Sequence, residues 1–548
     1  MNENETCNIV CELTYEKDQI RQFAEAIDDH YNINWIVDNM PAAASGLTED
    51  GTLIYAKGFP VGSKDASGHR YLYNHVRIRI LIHSSPDYKG HRIVGFEVNP
   101  ISVRHQWSTE GSKRTLDTCD SKTGVLPRAK FPPMYITGPS AQKKIDVAWT
   151  YDIFWVPSDT KWASRWDIYL SMGNLYDDET HLLSIINSLL ISVLLAGIGA
   201  LLLGRALRRD LARYSLVPTD EERADEREET GWKQVHGDVF RPPSRMPFLF
   251  SIVVGVSCQV LGMTFVVLCF AAIGFLSPAN RGSLIIAMVV LFLTMGVLAG
   301  YQSARTHKMF NGQQWQRITF ATAIGFPAFV FLILFVLNLF VWSAGSVNAV
   351  DFGSMFAVVA LWLLVSVPLV FVGAYYGFKR EKVEFPCAVA PVPRPVPEQE
   401  WYMHPLITMA VGGALPFGAA FVEVYFILTS IWLDQYYYVF GFLLLTFIIV
   451  IVTCMEVSIV HTYLQLVGED YHWWWRSFFV PGASGFYLFL YSVFYYFTEL
   501  DFHYATATLC YFGYMFLISL FFTLFTGAAG HLAAFVFVKK IYGAVKVE

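Results

Sequence analysis

Charged residues are scarce in this chain. Lys, Arg, Asp and Glu make up 16% of its 548 residues, whereas hydrophobic residues make up 54%. A typical soluble domain contains about 25% charged residues, so this chain has too little polar surface for a conventional soluble protein. Its apolar content also excludes a disordered chain. The composition therefore indicates a polytopic membrane protein that carries a polar domain.

Basic residues, cysteines and catalytic motifs are also too few to support several other classes of protein. The 40 Lys and Arg residues do not exceed the 46 Asp and Glu residues, which gives no support for nucleic-acid binding. Eight cysteines are too few for a disulfide-rich scaffold of this length. The sequence lacks His-Glu-x-x-His, Gly-x-Ser-x-Gly, P-loop and Cys-x-x-Cys patterns. We therefore expect neither an enzyme nor a bound metal or cofactor.

Long apolar segments begin after residue 181. An α-helix needs about 20 mainly apolar residues to cross the hydrocarbon core of a bilayer, and nine segments of residues 181–548 meet this condition. They are 182–204, 248–276, 283–301, 318–342, 353–377, 405–430, 438–463, 478–498 and 504–538. The last is longer than a bilayer requires, so it is either one tilted helix or a span followed by a turn at the membrane surface. The sequence thus predicts nine transmembrane helices.

Lys and Arg are distributed asymmetrically among the connecting loops. The charged loop 205–247 opens with four arginines and the tail 539–548 carries three lysines, whereas the loop 343–352 has no basic residue. Cytosolic loops of membrane proteins are enriched in Lys and Arg. We therefore expect 205–247 and 539–548 to be cytosolic, and the N-terminal residues 1–180 to be lumenal or extracellular.

Residues 1–180 have the sequence patterns of a β-rich domain. The segment 73–83 alternates apolar and polar residues as a half-buried strand does. Further strands are predicted at 92–98, 145–155 and 166–170. One helix is predicted at 17–30. These elements favour a small antiparallel β-sandwich.

Three cysteines and one asparagine of this domain are candidates for covalent modification, because a lumenal compartment is oxidising and permits glycosylation. Cys7 and Cys11 are a candidate disulfide pair, and Cys119 would then need a partner from upstream. Asn4 begins the glycan acceptor tripeptide Asn-Glu-Thr. The first residues lack the features of a signal peptide, so we expect a further upstream segment.

Three ionisable residues lie inside predicted spans: Glu423 in the sixth, and Glu456 and His461 in the seventh. A charge at the bilayer centre costs roughly 2.5 kcal/mol or more, so such residues need a reason to be there. The functional alternative is a proton- or cation-linked site, or a polar groove that recognises a client's transmembrane helix. The structural alternative is a carboxyl group that is protonated or hydrogen-bonded between helices.

Local spacing refines both alternatives. Glu456 and His461 are five residues apart, hence about 140° apart around a helix, so we do not expect them to form one metal-binding face. Gly412, Gly413 and Pro416 precede Glu423 in the sixth span. Interruptions of this type open helices in transporters and expose backbone groups to a substrate.

Two further segments have patterns that point to simple structural roles. Trp473, Trp474, Trp475 and Arg476 precede the eighth span, where an aromatic belt at the level of the lipid headgroups is expected. A partner-binding role is the alternative. The segment 391–397 is rich in proline and is predicted to be an extended, stiff spacer, or a ligand for an aromatic groove.

Ordered sequence blocks connect the chain to a known family. They include VDNMPAA at 37–43, SDTKWASRWDIYL at 158–170, ETGWKQVHGDVFRPP at 229–243, GFLSPANRG at 274–282 and EDYHWWWRSF at 469–478. With these blocks the chain closely resembles the nonaspanins, the transmembrane nine superfamily of endomembrane proteins. The resemblance implies residence in Golgi and endosomal membranes, and roles in sorting membrane proteins, in cell adhesion and in phagocytosis.

The end of the sequence resembles the family's sorting signal. Lys546-Val547-Glu548 looks like the Lys-x-Asp/Glu signal that binds the coatomer coat. In such a signal Lys546 supplies a cation and Glu548 supplies carboxylates to a receptor groove. The resemblance therefore implies coatomer as a partner, in addition to client membrane proteins and the lipid bilayer.

The sequence as a whole predicts a nine-span α-helical membrane protein with an N-terminal lumenal β-rich domain. Its expected function is to sort client membrane proteins between the Golgi and endosomes by engaging their transmembrane segments. The alternative is a secondary transporter or channel that uses Glu423 and Glu456. A third hypothesis, an adhesion protein, would place the function in the N-terminal domain.

Overall fold

A computed structural model describes most of the chain. The described residues are 4–47, 53–86, 89–110, 113–116, 118–120, 124–125, 132–137, 144–171, part of 186–208, 231–275, 283–346, 349–432, 440–500 and 502–544. They belong to two compact units. One contains residues 1–178, 278–281 and 430–438, and the other contains 179–277, 282–429 and 439–548.

The N-terminal unit is rich in strands, which confirms the predicted β-rich character. Its strands are β1 (Glu5–Glu16), β2 (Asn32–Ile33), β3 (Ile36–Val37), β4 (Met40–Pro41), β5 (Ala43–Leu47), β6 (Leu53–Lys57), β7 (Phe59–Pro60), β8 (Gly62–Lys64), β9 (Arg70–Leu72), β10 (His75–His83), β11 (Arg92–Ile101), β12 (Trp107–Glu110), β13 (Lys113–Leu116), β14 (Cys119–Asp120), β15 (Gly124–Val125) and β16 (Lys144–Pro157). The helices are α1 (Lys17–Asp28) and α2 (Asp167–Ser171).

Six of these strands form one mixed sheet in the order β1-β16-β10-β11-β5-β6. The predicted antiparallel arrangement is wrong at two places, because β10 runs parallel to β16 and β11 runs parallel to β5. Alternating hydrophobicity identifies a strand and its buried face but carries no information about the direction of its neighbour. The direction follows from the long connections that bring β5 and β16 back to the sheet.

One face of β10 packs into an apolar core. Val76 packs in a cluster with Phe96, Val98, Trp166 and Tyr169. Trp166 immediately precedes α2 and Tyr169 lies within it, so the strand predicted at 166–170 is wrong. Residues three apart lie on one side of a helix, which brings both aromatic rings to the same apolar core.

Helix α1 covers a second apolar cluster of the same unit. Its first turn is closed by a capping box between Glu16 and Gln19. Ile20, Phe23 and Ile27 follow at helical spacing and pack against a cluster of residues from several strands. The predicted helix at 17–30 is therefore confirmed, with its end at Asp28.

The second unit contains eight helices that are long and apolar enough to cross a membrane, counted over the residues that the structure describes. They are α3 (Pro247–Ala272), α4 (Leu284–Met309), α5 (Trp315–Ser343), α6 (Phe352–Lys379), α7 (Pro405–Trp432), α8 (Phe440–Val467), α9 (Trp473–Glu499) and α10 (Ala505–Ala544). They coincide with the second to ninth predicted spans. Much of the first predicted span, 182–204, falls outside the described residues, and a shorter apolar helix runs over Ser192–Leu201.

The longest helix settles one alternative left open by the sequence. Helix α10 is a single element of 40 residues and does not turn at the membrane surface. Gly527 and Gly530 lie where other helices approach closely: a Cβ on Gly527 would meet the ring of Phe478, and one on Gly530 would meet Pro481. Small residues at such crossings let helices pack at short distance in lipid.

The three tryptophans before the eighth span do not form the predicted aromatic belt. Trp473 and Trp474 are fully buried. The indole Nε1 of Trp473 donates to the carbonyl oxygen of Val239 at 2.8 Å, and that of Trp474 donates to the carbonyl oxygen of Arg241 at 2.8 Å. Trp475 makes the same type of bond, at 2.9 Å, to the carbonyl oxygen of Arg245. The three indoles therefore hold the segment 239–245, and the rings of Trp473 and Trp474 are buried instead of facing lipid headgroups.

The proline-rich segment is not a free spacer, because it docks on the same part of the chain. The amide of Ala390 donates to the carbonyl oxygen of Gly237 at 2.8 Å, and the guanidinium of Arg394 donates to the carbonyl oxygen of Gln234 at 3.0 Å. Arg394 also forms an ion pair with Glu469 at 2.8 Å. Intramolecular hydrogen bonds therefore fix the linker, and its extended conformation stays a prediction.

Candidate functional site

A cavity of about 870 Å³ lies in the membrane unit, between α7 and α8. Its lining is mostly apolar and includes small residues of α7 and of the short apolar helix Ser192–Leu201. The lining residues include Ala196, Gly199, Met403, Ile407, Val411, Ala414, Leu415, Gly418, Ala419, Thr453, Glu456, Val457, Val460, His461 and Leu464. Two of the three ionisable residues singled out in the sequence are therefore brought to one cavity.

Glu456 is a half-buried carboxyl group on the α8 wall of this cavity. Within the described part of the chain it has neither a hydrogen bond nor an ion pair. Its neighbours in the lining, Thr453, Val457 and Val460, offer one hydroxyl group and otherwise hydrocarbon. A carboxyl group in such surroundings gains free energy when a ligand brings it a hydrogen-bond donor.

His461 lines the same cavity one and a half turns further along α8. The residue is 8% exposed, and its Nε2 atom is buried without a hydrogen-bond partner among the described residues. The cavity reaches far enough around α8 to include two positions that are about 140° apart. No group of three or more metal-binding side chains occurs among the described residues.

Glu423 lies apart from this pair. It is 3% exposed on α7, and the cavity lining does not include it. The last α7 residue in the lining is Ala419, and Glu423 lies about one helical turn beyond it. The two carboxyl groups of the predicted site, Glu423 and Glu456, therefore do not share one cavity.

Helix α7 is not interrupted at its glycine and proline residues. It continues as an α-helix through Pro416. Gly412 and Gly413 instead allow close packing against α9: a Cβ on Gly412 would meet Val480, and one on Gly413 would lie 2.7 Å from the carbonyl carbon of Ala483. Neighbouring helices stabilise proline within a membrane helix, so the broken helix of a transporter site is not present here.

The predicted sorting signal, Lys546 and Glu548, lies outside the described residues. The structure describes α10 as far as Ala544, and the last turns of this helix are anchored. The hydroxyl group of Tyr542 donates to the carbonyl oxygen of Trp232 at 2.6 Å, and its ring packs on Phe240.

The covalent-modification candidates have different outcomes. Cys7 is disulfide-bonded whereas Cys11 has a free thiol, so the predicted pairing of these two cysteines is wrong. The closeness of Cys7 and Cys11 in the sequence therefore did not predict which cysteines pair. Asn4 is exposed, and its side-chain oxygen accepts a hydrogen bond of 3.0 Å from the amide of Trp155. Glycosylation of Asn4 stays a prediction.

The polar face of β10 carries a buried group of side chains that the sequence analysis missed. His75 is fully buried and contacts Thr150 through Nδ1 at 2.8 Å and Asp152 through Nε2 at 3.0 Å. His105 contacts the same Thr150 hydroxyl group at 3.0 Å. Arg77 pairs with Asp152 at 3.2 Å. The polar half of the alternation in 73–83 was the available signal, since His75 and Arg77 stand at consecutive polar positions.

Comparison with known proteins shows that the similarity is not confined to the sequence blocks given above but covers the full chain. The sequence profile of the family described as endomembrane protein 70 matches residues 1–505. The chain is 45% identical to transmembrane 9 superfamily member 8 of Arabidopsis thaliana, 42% to member 2 of Homo sapiens and 38% to member 4 of Mus musculus. The alignments cover all of this chain and 84%, 83% and 86% of the relatives, respectively. No solved structure matches the chain.

The names of these relatives describe a membrane protein and no catalytic activity. The apolar helices that follow the sheet-rich N-terminal unit agree with a membrane protein. With this family profile and this identity over its whole length, the chain belongs to the endomembrane protein 70 family, the transmembrane 9 superfamily, and is a multi-pass protein of the endomembrane system.

Proposed function

We propose that the protein sorts client membrane proteins between the Golgi and endosomes by binding their transmembrane segments in the cavity between α7 and α8. The observation that carries this proposal is an apolar cavity of about 870 Å³ with two polar groups, Glu456 and His461 Nε2, that lack partners among the described residues. The proposed role in cell adhesion or phagocytosis is a consequence of this sorting.

The lining has the composition that recognition of a helix in lipid requires. Helices associate in membranes through close packing at small residues and through hydrogen bonds across the interface, because lipid is as apolar as a leucine side chain. Ala414, Gly418 and Ala419 supply small residues on α7. Glu456 and His461 supply polar contacts on α8. A client helix would therefore gain both packing and hydrogen bonds in this cavity.

Recycling by the coatomer coat completes the proposal. Lys546 and Glu548 would bind the coat, and family membership supports an address in the endomembrane system. Exchange of Lys546 for Ala removes the cation of the signal, so we expect the protein to leave the Golgi and its clients to be missorted. A protein that keeps its location after this exchange would contradict coat binding and leave the client cavity to be tested separately.

The cavity is tested by filling it. A Cβ on Gly418 meets no described atom within 4 Å, so Gly418→Leu adds a side chain at an open position of the cavity lining. Gly325→Leu is the matched control, because Gly325 is equally open on α5 and outside the cavity. We expect Gly418→Leu to change the set of membrane proteins at the cell surface at least twofold for affected clients, measured by surface biotinylation and quantitative mass spectrometry.

Glu456→Gln gives the complementary measurement. It removes the ionisable group but keeps a hydrogen-bonding side chain, so we expect client sorting to be weakened less than by Gly418→Leu. Solute or ion flux in reconstituted vesicles that disappears in Glu456→Gln while client levels stay normal would overturn the proposal in favour of a transporter.

A further inference from the structure

A second cavity, of about 790 Å³, lies in the membrane unit where α4, the end of α6 and α10 meet. Four cationic side chains line it: Arg305, Arg380, Lys382 and Lys539. They come from three segments that are far apart in sequence, so the tertiary structure gathers them. The positive-inside bias predicts cations in these loops, but it does not predict a common cavity.

The positive charge of this cavity is not cancelled within the described residues. Glu381 and Glu384 also line it, but neither of them forms an ion pair there, and none of the four cations does. Arg305 Nη1 donates to the carbonyl oxygen of Glu381 at 2.6 Å, which is a neutral acceptor. Four cations and two carboxylates leave an excess of positive charge, which attracts an anion.

The cationic side of the cavity is held in place by contacts between α4 and the chain that follows α6. Lys308 Nζ donates to the carbonyl oxygens of Phe378 and Arg380 at 2.7 and 2.6 Å. Lys382 Nζ donates to the side-chain oxygen of Asn311 at 2.5 Å. The two bonds of Lys308 satisfy carbonyl groups at the end of α6. Hydrogen bonds thus hold two of the four cations, Arg305 and Lys382, before any ligand binds, which lowers the entropic cost of binding.

Part of the remaining wall is apolar, beside the polar side chains of Gln302, Thr306 and His531. Leu532 and Phe535, on α10, lie in the lining together with Met309 and Val383. A soluble anion gains no free energy from apolar contacts, whereas a lipid carries hydrocarbon next to its headgroup and does. Basic pockets between transmembrane helices, at the level of the headgroups, are a known means of binding phosphorylated lipids.

We propose that this cavity binds the phosphorylated headgroup of an anionic membrane lipid, with Arg305, Arg380, Lys382 and Lys539 around the phosphates and the apolar wall beside the acyl chains. The ligand class is a lipid with more than one phosphate, because the cavity carries four cations. This inference does not depend on the client cavity between α7 and α8, which shares no lining residue with it.

The chain offers a control that matches the change in charge. Arg380 and Lys539 line the cavity, whereas their sequence neighbours Lys379 and Lys540 lie outside it, and all four are exposed cations. The test variant is therefore Arg380→Gln with Lys539→Gln, and the control is Lys379→Gln with Lys540→Gln. Both lose two positive charges at the same ends of α6 and α10, so a general attraction to anionic lipid is equal in the two.

The experiment measures binding of a fluorescent dioctanoyl phosphatidylinositol that carries one ring phosphate to the purified full chain in uncharged detergent. We expect the test variant to bind at least tenfold more weakly than the unmodified chain and the control to stay within twofold. Gel filtration and thermal unfolding of both variants identify any loss of fold. If the test variant is destabilised, Lys382→Gln alone repeats the measurement.

Two competing ligands separate the sources of phosphate. We expect dioctanoyl phosphatidylcholine, which has no net charge, not to displace the probe, and free inositol 1,4-bisphosphate to displace it at least tenfold less well than the unlabelled lipid. Equal displacement by the free inositol phosphate would overturn the lipid assignment in favour of a soluble anion. Equal weakening in the test and control variants would overturn the site itself.

Discussion

Buried polar side chains of the N-terminal unit depend on one another for their hydrogen bonds. His105 is the clearest case, because its ring touches the hydroxyl groups of Thr118 and Thr150 at 2.7 and 3.0 Å. Burial and the nearby His75 lower the pKa of His105 from 6.5 to about 4. Asp152 contacts His75 on the other side and pairs with Arg77. The neutral imidazole is therefore the form that the fold stabilises.

The lowered pKa of His105 predicts acid sensitivity of the N-terminal sheet. The unfolded chain binds a proton near pH 6.5 and the folded chain only near pH 4, so folding stability is retained above 6.5 and is lost as the pH falls toward 4. The loss is on the order of 2 kcal/mol. We expect His105→Gln to remove this loss, measured as hydrogen exchange of β16 at pH 7.5 and pH 4.5, corrected for intrinsic rates.

His30→Asn is the control for this measurement, because His30 is exposed and Asn tolerates its left-handed backbone. We expect it to leave the pH dependence of the exchange unchanged. An unchanged pH dependence in His105→Gln would contradict the assignment.

The second prediction at the residue scale concerns the hydrogen bond of one buried indole group. Trp474→Phe keeps an aromatic ring but leaves the carbonyl oxygen of Arg241 without its donor, so we expect a loss of about 1–3 kcal/mol. Trp475→Phe is the matched control, because its bond to the carbonyl oxygen of Arg245 is exposed to solvent. Chemical denaturation of the purified chain, followed by tryptophan fluorescence, gives the two values. Equal losses would mean that burial of the acceptor does not matter.

Pairs of membrane helices are held at short distance by glycines that face each other's backbone. Helices α4 and α6 are such a pair: a Cβ on Gly300 would overlap the carbonyl oxygen of Val370, and a Cβ on Gly373 would overlap the carbonyl oxygen of Val297. Close approach without side chains is a common way for helices to associate in lipid, where there is no hydrophobic driving force.

This packing predicts opposite signs for two identical substitutions. Alanine has a higher helix propensity than glycine by about 1 kcal/mol, so we expect Gly325→Ala, at an open position of α5, to be neutral or stabilising. Gly373→Ala forces α4 away from α6, and overpacking of this type costs about 1–3 kcal/mol. The thermal unfolding temperatures of the two variants should therefore move in different directions, and a rise in both would contradict the close approach.

At the scale of the membrane unit, three segments that connect its helices are bound into one cluster. Arg394 joins them, since its guanidinium pairs with Glu469 and its amide donates to the Asp238 carboxylate at 3.1 Å. Nearby, burial raises the pKa of Asp470, but hydrogen bonds from His472 and the charge of Arg476 outweigh it, so its pKa lies below its ordinary value. The Asp470 carboxyl group therefore stays ionised at neutral pH and keeps its contacts with His472 and Arg476.

Removal of the Arg394 side chain should release the proline-rich segment. We expect Arg394→Ala to raise hydrogen exchange in 387–397 at least tenfold while exchange in α8 and α10 stays the same. Arg245→Ala is the control, because Arg245 is exposed and its side chain has no ion pair among the described residues. Unchanged exchange in both variants would show that the hydrogen bonds to the backbone hold the segment without Arg394.

The sequence by itself determined the membrane class, the places of the α3–α10 helices and the family. An apolar run of bilayer length must form a helix, because lipid offers no partner for an open backbone group, and this demand is local. It also determined the strand 73–83 and the helix 17–30, because alternation and helical spacing are local patterns.

Only the tertiary structure decided the remaining features, because their partners are distant in sequence. The three indoles at 473–475 bind carbonyl groups more than 200 residues away, so their burial was invisible to an expectation based on neighbouring residues. The same holds for strand direction in the mixed sheet and for the four cations gathered around one cavity. The free-energy cost of an ionisable group in a membrane span singled out Glu456 and His461 in the sequence. Only the packing of α7 on α8 places these two residues in one cavity and Glu423 outside it.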